Sequence, residues 1–136
     1  MQEVLDISYT PSMELPDEEY PLIMMTGRIL YHYNACAMTD KTEGINQIAG
    51  ESFIELNTED AQKLGVEDGE MVSISSRRGT IQAKAAVSYK TNPGECWMPF
   101  HYIEGGANWL TSDALDSISS TPEYKVCTVK VEKITA

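Results

Sequence analysis

The sequence predicts a mainly β domain, built as a closed six-stranded barrel with short helices. Segments in which apolar and polar residues alternate are separated by Gly, Pro, Asn and Asp at short spacing. Such alternation places one face of each strand in a core, and frequent turn residues favour a barrel over a helical fold. The strands are predicted near residues 22–26, 52–56, 71–75, 80–88, 96–99 and 126–132.

The stretch from Glu55 to Val87 gives the clearest local signals. Asn57 or Thr58 can cap the start of a short helix, and Gly65 supplies the left-handed residue that ends it. Two alternating strands follow, joined by the turn Arg77–Gly79. Because so short a helix is not stable alone, its apolar face must close the end of a sheet or barrel.

Charge divides the chain into two parts. Residues 1–20 hold six acidic residues and no Lys or Arg, and are interrupted by Pro11 and Pro16. They are predicted to form a flexible acidic leader, with the barrel domain spanning residues 21–136. The net charge of −11 argues against a nucleic-acid partner or an anionic membrane surface. No apolar stretch is long enough to cross a bilayer, so no membrane contact by this chain is expected.

Cysteines and histidines are too few and too scattered for a metal site. Cys36, Cys96 and Cys127 form no C-x-x-C pair, and the chain has two histidines. An odd number of isolated cysteines is typical of free thiols in a reducing compartment, which predicts a cytoplasmic location. No metal ligand and no catalytic residue are expected in this chain.

Residues 26–39, TGRILYHYNACAMT, follow the first predicted strand. Gly27 allows a close backbone turn, and Arg28 offers a planar fork of donors suited to phosphate or to a pterin carbonyl. His32 can donate or accept a proton near neutral pH. A loop with a solvated arginine and a packing histidine explains the same residues and stays open on spacing alone.

Residues 101–125 form a long irregular connection with Gly105-Gly106 at its bend. Long ordered loops in small domains often carry function. The amide of Asn108 can both donate and accept a hydrogen bond, and Lys125 carries a positive charge that an anionic ligand would need. Loop stabilisation is the alternative, with Asn108 holding a turn and Tyr124 covering the barrel end.

Three patterns resemble the C-terminal domain of molybdopterin-dinucleotide oxidoreductases, above all formate dehydrogenases and periplasmic-type nitrate reductases. They are the helix and hairpin N-T-E-D-A-x-x-L-G with S-R-R-G, the run T-G-R-x-x-x-H-Y-N with M-T, and F-H with A-N-x-L-T and T-P-E-Y-K. The resemblance implies a double-psi β-barrel. It also implies cofactor contacts by Arg28, His32, Asn34, Phe100, Asn108, Tyr124 and Lys125. Phe100 stands where some relatives carry Tyr, so a hydroxyl contact is lost there.

The resemblance further implies that this chain is the C-terminal domain of a molybdenum or tungsten oxidoreductase, most closely a formate dehydrogenase. In the full enzyme it would bind the bis-molybdopterin guanine dinucleotide cofactor and cover the active-site funnel. Its partners would be the preceding catalytic and iron–sulfur domains, which carry the metal ligand. Cys36 lies in a different motif from that ligand, so the chain alone is expected to be inactive.

Two alternatives remain open. A freestanding double-psi barrel that binds a peptide or protein would not need Arg28, His32, Asn108 and Lys125 to converge. A small self-processing decarboxylase on the same barrel would need an internal Gly-Ser cleavage site, and the sequence contains no Gly-Ser dipeptide.

Overall fold

A computed structural model describes residues 9–134 and has the predicted architecture, a six-stranded closed barrel with short helices. The strands are β1 (Leu22–Gly27), β2 (Phe53–Asn57), β3 (Met71–Ser75), β4 (Thr80–Ser88), β5 (Glu95–Pro99) and β6 (Val126–Lys133). The connections contain α1 (Glu43–Ala49), α2 (Thr58–Leu64) and the 3-10 helices Thr39–Lys41 and Ala107–Trp109. Every strand end lies within one residue of its predicted position, so the prediction is confirmed.

The strand order around the barrel is β1-β5-β2-β4-β3-β6. β1 pairs in parallel with β5, and β2 with β4, whereas the other four neighbours are antiparallel. Exchanging β1, β2 and β3 for β4, β5 and β6 reproduces every pairing, so the two halves share one topology. This arrangement is the double-psi β-barrel that the family resemblance implied.

Local sequence signals explain α2 and the turns. The side chain of Asn57 accepts a hydrogen bond from the backbone N–H of Glu59 at 2.9 Å, and Gly65 ends the helix with a φ of 65°. Gly94 has a φ of 85°, and the N–H of Glu95 donates to the carbonyl of Asn92 at 3.0 Å. Both features define the type II turn that a Pro-Gly pair favours.

The core lies inside the barrel and follows the period-two pattern of the strands. Along β4, Ile81, Ala83 and Ala85 are buried while their neighbours Gln82 and Lys84 are exposed. Equivalent alternation along β1, β3 and β6 fills the interior with Leu, Met, Val and Ile side chains. Burial of these side chains is the main stabilising contribution to the barrel.

Both long connections leave and re-enter the barrel at the same end. Because β1 is parallel to β5 and antiparallel to β6, β1 and β5 end where β6 begins. β2 begins there as well, since it is antiparallel to β5. Residues 28–52 and 100–125 therefore surround one end of the barrel, which we call the loop end.

Glu14 attaches the acidic segment before β1 to the barrel. Residues 9–20 form no helix or strand, yet Glu14 is only 12% exposed. Its Oε2 accepts hydrogen bonds from the backbone N–H of Thr128 and from Nη2 of Arg78, both at 3.0 Å. Residues 1–8 lie outside the described part of the chain, and the flexibility of the leader stays a prediction.

Arg77 makes a second attachment of the same segment. It pairs with Asp17, and its guanidinium lies 4.6 Å from the centre of the Tyr20 ring. Its Nη1 also donates to Oγ1 of Thr128 at 2.8 Å. Thr128 is completely buried although it faces away from the core side chains of β6, because these contacts cover it.

All three cysteines are buried free thiols. Cys96 and Cys127 lie in the barrel wall on β5 and β6, and burial raises the pKa of both, that of Cys127 to about 11. Cys36 lies in the loop after β1 with a φ of 61°. Burial also raises the pKa of the Cys36 thiol.

Candidate functional site

Hydrogen bonds join three chain segments at the loop end. The N–H of Thr26 donates to the carbonyl of Lys125 at 3.1 Å, and its hydroxyl donates to the carbonyl of Tyr124 at 2.7 Å. The N–H of Phe100 donates to the carbonyl of Gly27 at 3.2 Å. Residues far apart in sequence are therefore brought together by backbone contacts, independently of any ligand.

Gly27 is required at this junction. A Cβ added there would lie 2.5 Å from Nε1 of Trp97, a distance that real Cβ atoms do not adopt. The indole ring of Trp97 thus occupies the space beside β1. Arg28 follows directly after Gly27, the last residue of β1.

Two cationic side chains flank one aromatic ring at the loop end. The guanidinium of Arg28 lies 5.5 Å from the centre of the Phe100 ring, and Nζ of Lys125 lies 5.4 Å from the same centre. Lys125 is also 5.1 Å from the Tyr124 ring. Cation–π attraction of this kind places both positive charges without neutralising them.

These cations differ from most basic residues of the chain in having no acidic partner in the described part of the structure. Seven of the ten Lys and Arg side chains form ion pairs. Within residues 9–134, Arg28, Lys41 and Lys125 form none. Two of these three share Phe100, so the loop end carries unneutralised positive charge in a protein whose net charge is −11.

Asn108 lies next to this cluster. Its Nδ2 is 3.4 Å from the carbonyl oxygen of Phe100, a long hydrogen bond, and its side chain is exposed. The amide therefore keeps donor and acceptor capacity for a ligand. The 3-10 helix Ala107–Trp109, which fills the bend of the second long connection, holds it there.

His101 is a residue of the site that the sequence analysis missed. It is 1% exposed, its Nε2 accepts from the N–H of Ile29 at 3.1 Å, and its Nδ1 lies 2.9 Å from the carbonyl of Asn34. It thus joins the end of β5 to two points of the loop that carries Arg28 and Asn34. The signal in the sequence was a histidine directly after Phe100, where a strand enters a long connection.

His32 is buried and both of its ring nitrogens have protein partners. Nε2 donates to the carbonyl of Ala49 at 2.6 Å, and Nδ1 lies 2.9 Å from Oγ1 of Thr39. Its ring packs 5.9 Å from that of His101. These contacts favour the packing role, and a direct cofactor contact by His32 stays a prediction.

The structure thus brings the predicted residues to one end of the barrel. Arg28 and Lys125 both lie against the ring of Phe100, and Lys125 also lies against that of Tyr124. Asn108 adjoins Phe100, and Asn34 and His32 adjoin His101. A cavity of about 760 Å³ beside them is lined by His32, His101 and Tyr102, but not by the cation cluster. The cluster itself is therefore an open surface, able to take one side of a larger ligand.

The closed six-stranded barrel, with two halves of one topology and two long connections at one end, defines the class of double-psi β-barrel domains. The family model described as the molydopterin dinucleotide binding domain matches residues 22–128, so the chain belongs to that family.

Relatives with curated names cover nearly all of the chain. The F420-dependent formate dehydrogenase 2 subunit alpha of Methanococcus maripaludis is 49% identical over 128 residues, which are 94% of this chain and 19% of that subunit. The corresponding subunit of Methanocaldococcus jannaschii is 42% identical and covers 97% of this chain. The nitrate reductase of Symbiobacterium thermophilum is 44% identical over 88% of this chain. The chain spans 16–20% of the length of these relatives.

A solved structure supports the fold. The acetylene hydratase from Pelobacter acetylenicus superposes with a TM-score of 0.75 over 85% of this chain and 18% of that protein, at 18% sequence identity. In residues 9–134, no helix is long and apolar enough to span a bilayer.

Proposed function

We propose that the loop end binds the guanine dinucleotide portion of a bis-molybdopterin cofactor within a larger molybdenum or tungsten oxidoreductase of the formate dehydrogenase type. The observation that carries this proposal is the pair of cations, Arg28 and Lys125, held against Phe100 with no acidic partner among residues 9–134. A pyrophosphate diester needs compensating charge and donors, and gains most from cations that no carboxylate neutralises.

The residues present fit such a group. Arg28 and Lys125 would hold the pyrophosphate, the exposed amide of Asn108 would meet a guanine or pterin edge, and Phe100 and Tyr124 would supply apolar contact. The bound cofactor would supply the redox chemistry through its metal and dithiolene sulfurs. The role of this chain is to bind and orient one side of the cofactor and to exclude water from it.

Exposed apolar side chains support the proposal that other domains cover the loop end. Of the sixteen large apolar side chains exposed in residues 9–134, ten lie on the two long connections. They are Leu30, Tyr31, Tyr33, Met38, Ile48, Ile103, Trp109, Leu115, Ile118 and Tyr124. Concentrated apolar exposure is typical of an interaction surface. We propose that the preceding catalytic and iron–sulfur domains occupy it and that this domain closes the active-site funnel.

The compartment and the catalytic capacity follow from the same proposal. Three buried free thiols are consistent with a reducing, cytoplasmic environment. The catalytic groups would belong to the other domains, so the chain alone would not oxidise formate with any artificial acceptor. Turnover by the pure chain loaded with molybdenum would contradict this assignment.

Binding of GDP-mannose, titrated by NMR, tests the proposal. This probe carries guanine and a pyrophosphate diester, as the cofactor does. We expect chemical-shift changes at Arg28, Phe100, Asn108 and Lys125, and weaker binding by a variant that combines Arg28→Ala with Lys125→Ala. Lys41→Ala removes the third unpaired cation and serves as the matched control. Absence of binding, or changes confined to another surface, would reject the dinucleotide site and favour a peptide-binding barrel.

A further inference from the structure

The ring nitrogens of His101 bond only to backbone groups, and they connect two segments that carry positions expected to face the dinucleotide. Residues 28–38 contain no regular secondary structure. The ring of His101 bonds to this loop at two points, the N–H of Ile29 and the carbonyl of Asn34. Arg28 immediately precedes the first of these points, and Phe100 immediately precedes the histidine.

The two contacts fix a single tautomer. The N–H of Ile29 can only donate, so Nε2 must carry a lone pair, and the carbonyl of Asn34 can only accept, so Nδ1 must carry the hydrogen. Protonation of the ring would place an N–H on Nε2 facing the N–H of Ile29. The bridge to Ile29 therefore exists only while His101 is neutral.

The surroundings of His101 favour the neutral form. Burial lowers its pKa, the hydrogen bond to Asn34 opposes this effect, and the nearby charges of His32 and Arg28 lower the pKa further. The ring also packs against Phe100 and, edge-on, against Tyr102. The nearest titratable and charged groups are Arg28, His32 and Tyr102. The cavity that His101 lines also contains Cys36, Asp40, Glu51, Lys84 and Glu104.

Resting on the function proposed above, we propose that His101 is the positioning residue of the dinucleotide site. In its Nδ1–H form it holds the loop after β1 against the end of β5, and so holds Arg28 beside Phe100. Asn34 adopts a φ of 47°, a conformation that asparagine tolerates and that the bond to His101 stabilises. Loss of this bridge frees the loop without opening the barrel.

The tautomer can be read directly by imidazole ¹⁵N NMR, because the chain has only two histidines. His101 should carry its hydrogen on Nδ1, whereas His32, whose Nε2 donates to the carbonyl of Ala49, should carry it on Nε2. His32→Gln assigns the two spectra. Finding the hydrogen of His101 on Nε2 would overturn the proposal.

Three variants separate positioning from general stability. His101→Phe keeps a buried ring but removes both bonds, and should weaken GDP-mannose binding about tenfold while far-UV circular dichroism is unchanged. His101→Gln offers an amide with both a donor and an acceptor, and should restore binding to within about threefold. Tyr102→Phe removes the neighbouring bond to Ala49 and should leave binding unchanged.

The pH dependence of GDP-mannose affinity distinguishes the positioning role from a purely structural one. Wild-type affinity should fall where the His101 ring takes up its proton, and His101→Gln should show no such step. GDP-mannose contains no group that titrates near neutral pH, so the step cannot come from the probe. If His101→Phe does not fold, the pH dependence of affinity in His101→Gln tests the positioning role on its own.

The possible failures are distinguishable. Absence of binding by the wild type would reject the proposed function and the positioning role together. Normal binding by folded His101→Phe would reject the positioning role alone. An acid step that persists in His101→Gln, or affinity that rises as the ring is protonated, would also reject it.

Discussion

Two pairs of basic residues in this barrel lie in contrasting electrostatic environments. Arg77 and Arg78, in the turn between β3 and β4, are neutralised by Glu14 and Asp17 of the segment that precedes the barrel. Arg28 and Lys125 face an aromatic ring and have no acidic partner in the described residues. The first pair stabilises the fold, whereas the second keeps its charge available for a ligand.

Chain connectivity explains the difference. Arg78 also donates to the carbonyl of Leu110 at 2.7 Å, so it links the leader, the β3–β4 turn and the second long connection. Arg28 and Lys125 are held by backbone bonds of their neighbours and by Phe100. Unneutralised cations held side by side support the proposal of an anionic ligand at this position.

The largest effect is expected from Glu14→Ala. This change removes the carboxylate from a pocket where the side chain is 12% exposed and leaves Arg78, with 22% of its side chain exposed, without its partner. Loss of a largely buried partner should lower the free energy of unfolding by about 2–3 kcal/mol. Urea denaturation measures it, with Asp17→Ala as the control that should cost less, because Asp17 is exposed. Equal costs for both variants would contradict a specific role of Glu14.

Arg28→Ala and Lys125→Ala should weaken ligand binding but hardly change stability, unlike Glu14→Ala. Because neither cation is ion-paired, each change should alter the free energy of unfolding by less than about 0.5 kcal/mol. Each should cost about 1–3 kcal/mol of binding free energy for GDP-mannose, the range for a charge-assisted hydrogen bond. Calorimetric titration beside thermal unfolding separates the two quantities. A variant that lost stability but kept its affinity for GDP-mannose would contradict a binding role for that cation.

The pH dependence of stability tests further whether the charge of Glu14 stabilises the fold. Burial alone would raise the pKa of Glu14, but hydrogen bonds from Arg78 and Thr128 and the charges of Arg78 and Arg77 together hold this pKa below the ordinary value of 4.5. The ionised form is therefore favoured by folding, and its contribution is complete above 4.5 and is lost as the pH falls through the folded pKa. The stability advantage of wild type over Glu14→Gln should shrink over that range in acid titrations of unfolding. A pH-independent difference would show that charge is not what Glu14 contributes.

The smallest effect is expected from Phe100→Leu. The substitution keeps apolar volume but removes the π face that both cations approach. We expect a loss of about 0.5–1 kcal/mol of binding free energy for GDP-mannose, with the barrel still folded. Phe100→Tyr preserves the ring and should bind like the wild type. Unchanged affinity in Phe100→Leu would show that the ring does not position the cations.

The strands could be predicted from sequence because their information is local. Alternation along β3 and β4, the cap at Asn57 and the left-handed Gly65 each involve neighbouring residues. The parallel pairing of β1 with β5 joins residues far apart in sequence, and no periodicity encodes it. The resemblance to a family supplied that part of the fold.

The site was predictable in part for the same reason. Arg28, Phe100 and Lys125 were found through motifs, and their convergence follows from strand pairing. His101 was not predicted because a buried histidine that bonds to backbone groups produces no spacing pattern in the sequence. Glu14 escaped because it lies among other acids, and only its distant partners distinguish it.

The positions of the three thiols allow local opening of the loop to be distinguished from unfolding of the barrel. Cys36 is buried in the loop that His101 holds, whereas Cys96 and Cys127 are completely enclosed by the barrel wall. An alkylating reagent should therefore reach Cys36 through excursions of the loop alone, but the other two only when strands separate. The ratio of the labelling rates would report how much more often the loop end opens than the barrel unfolds.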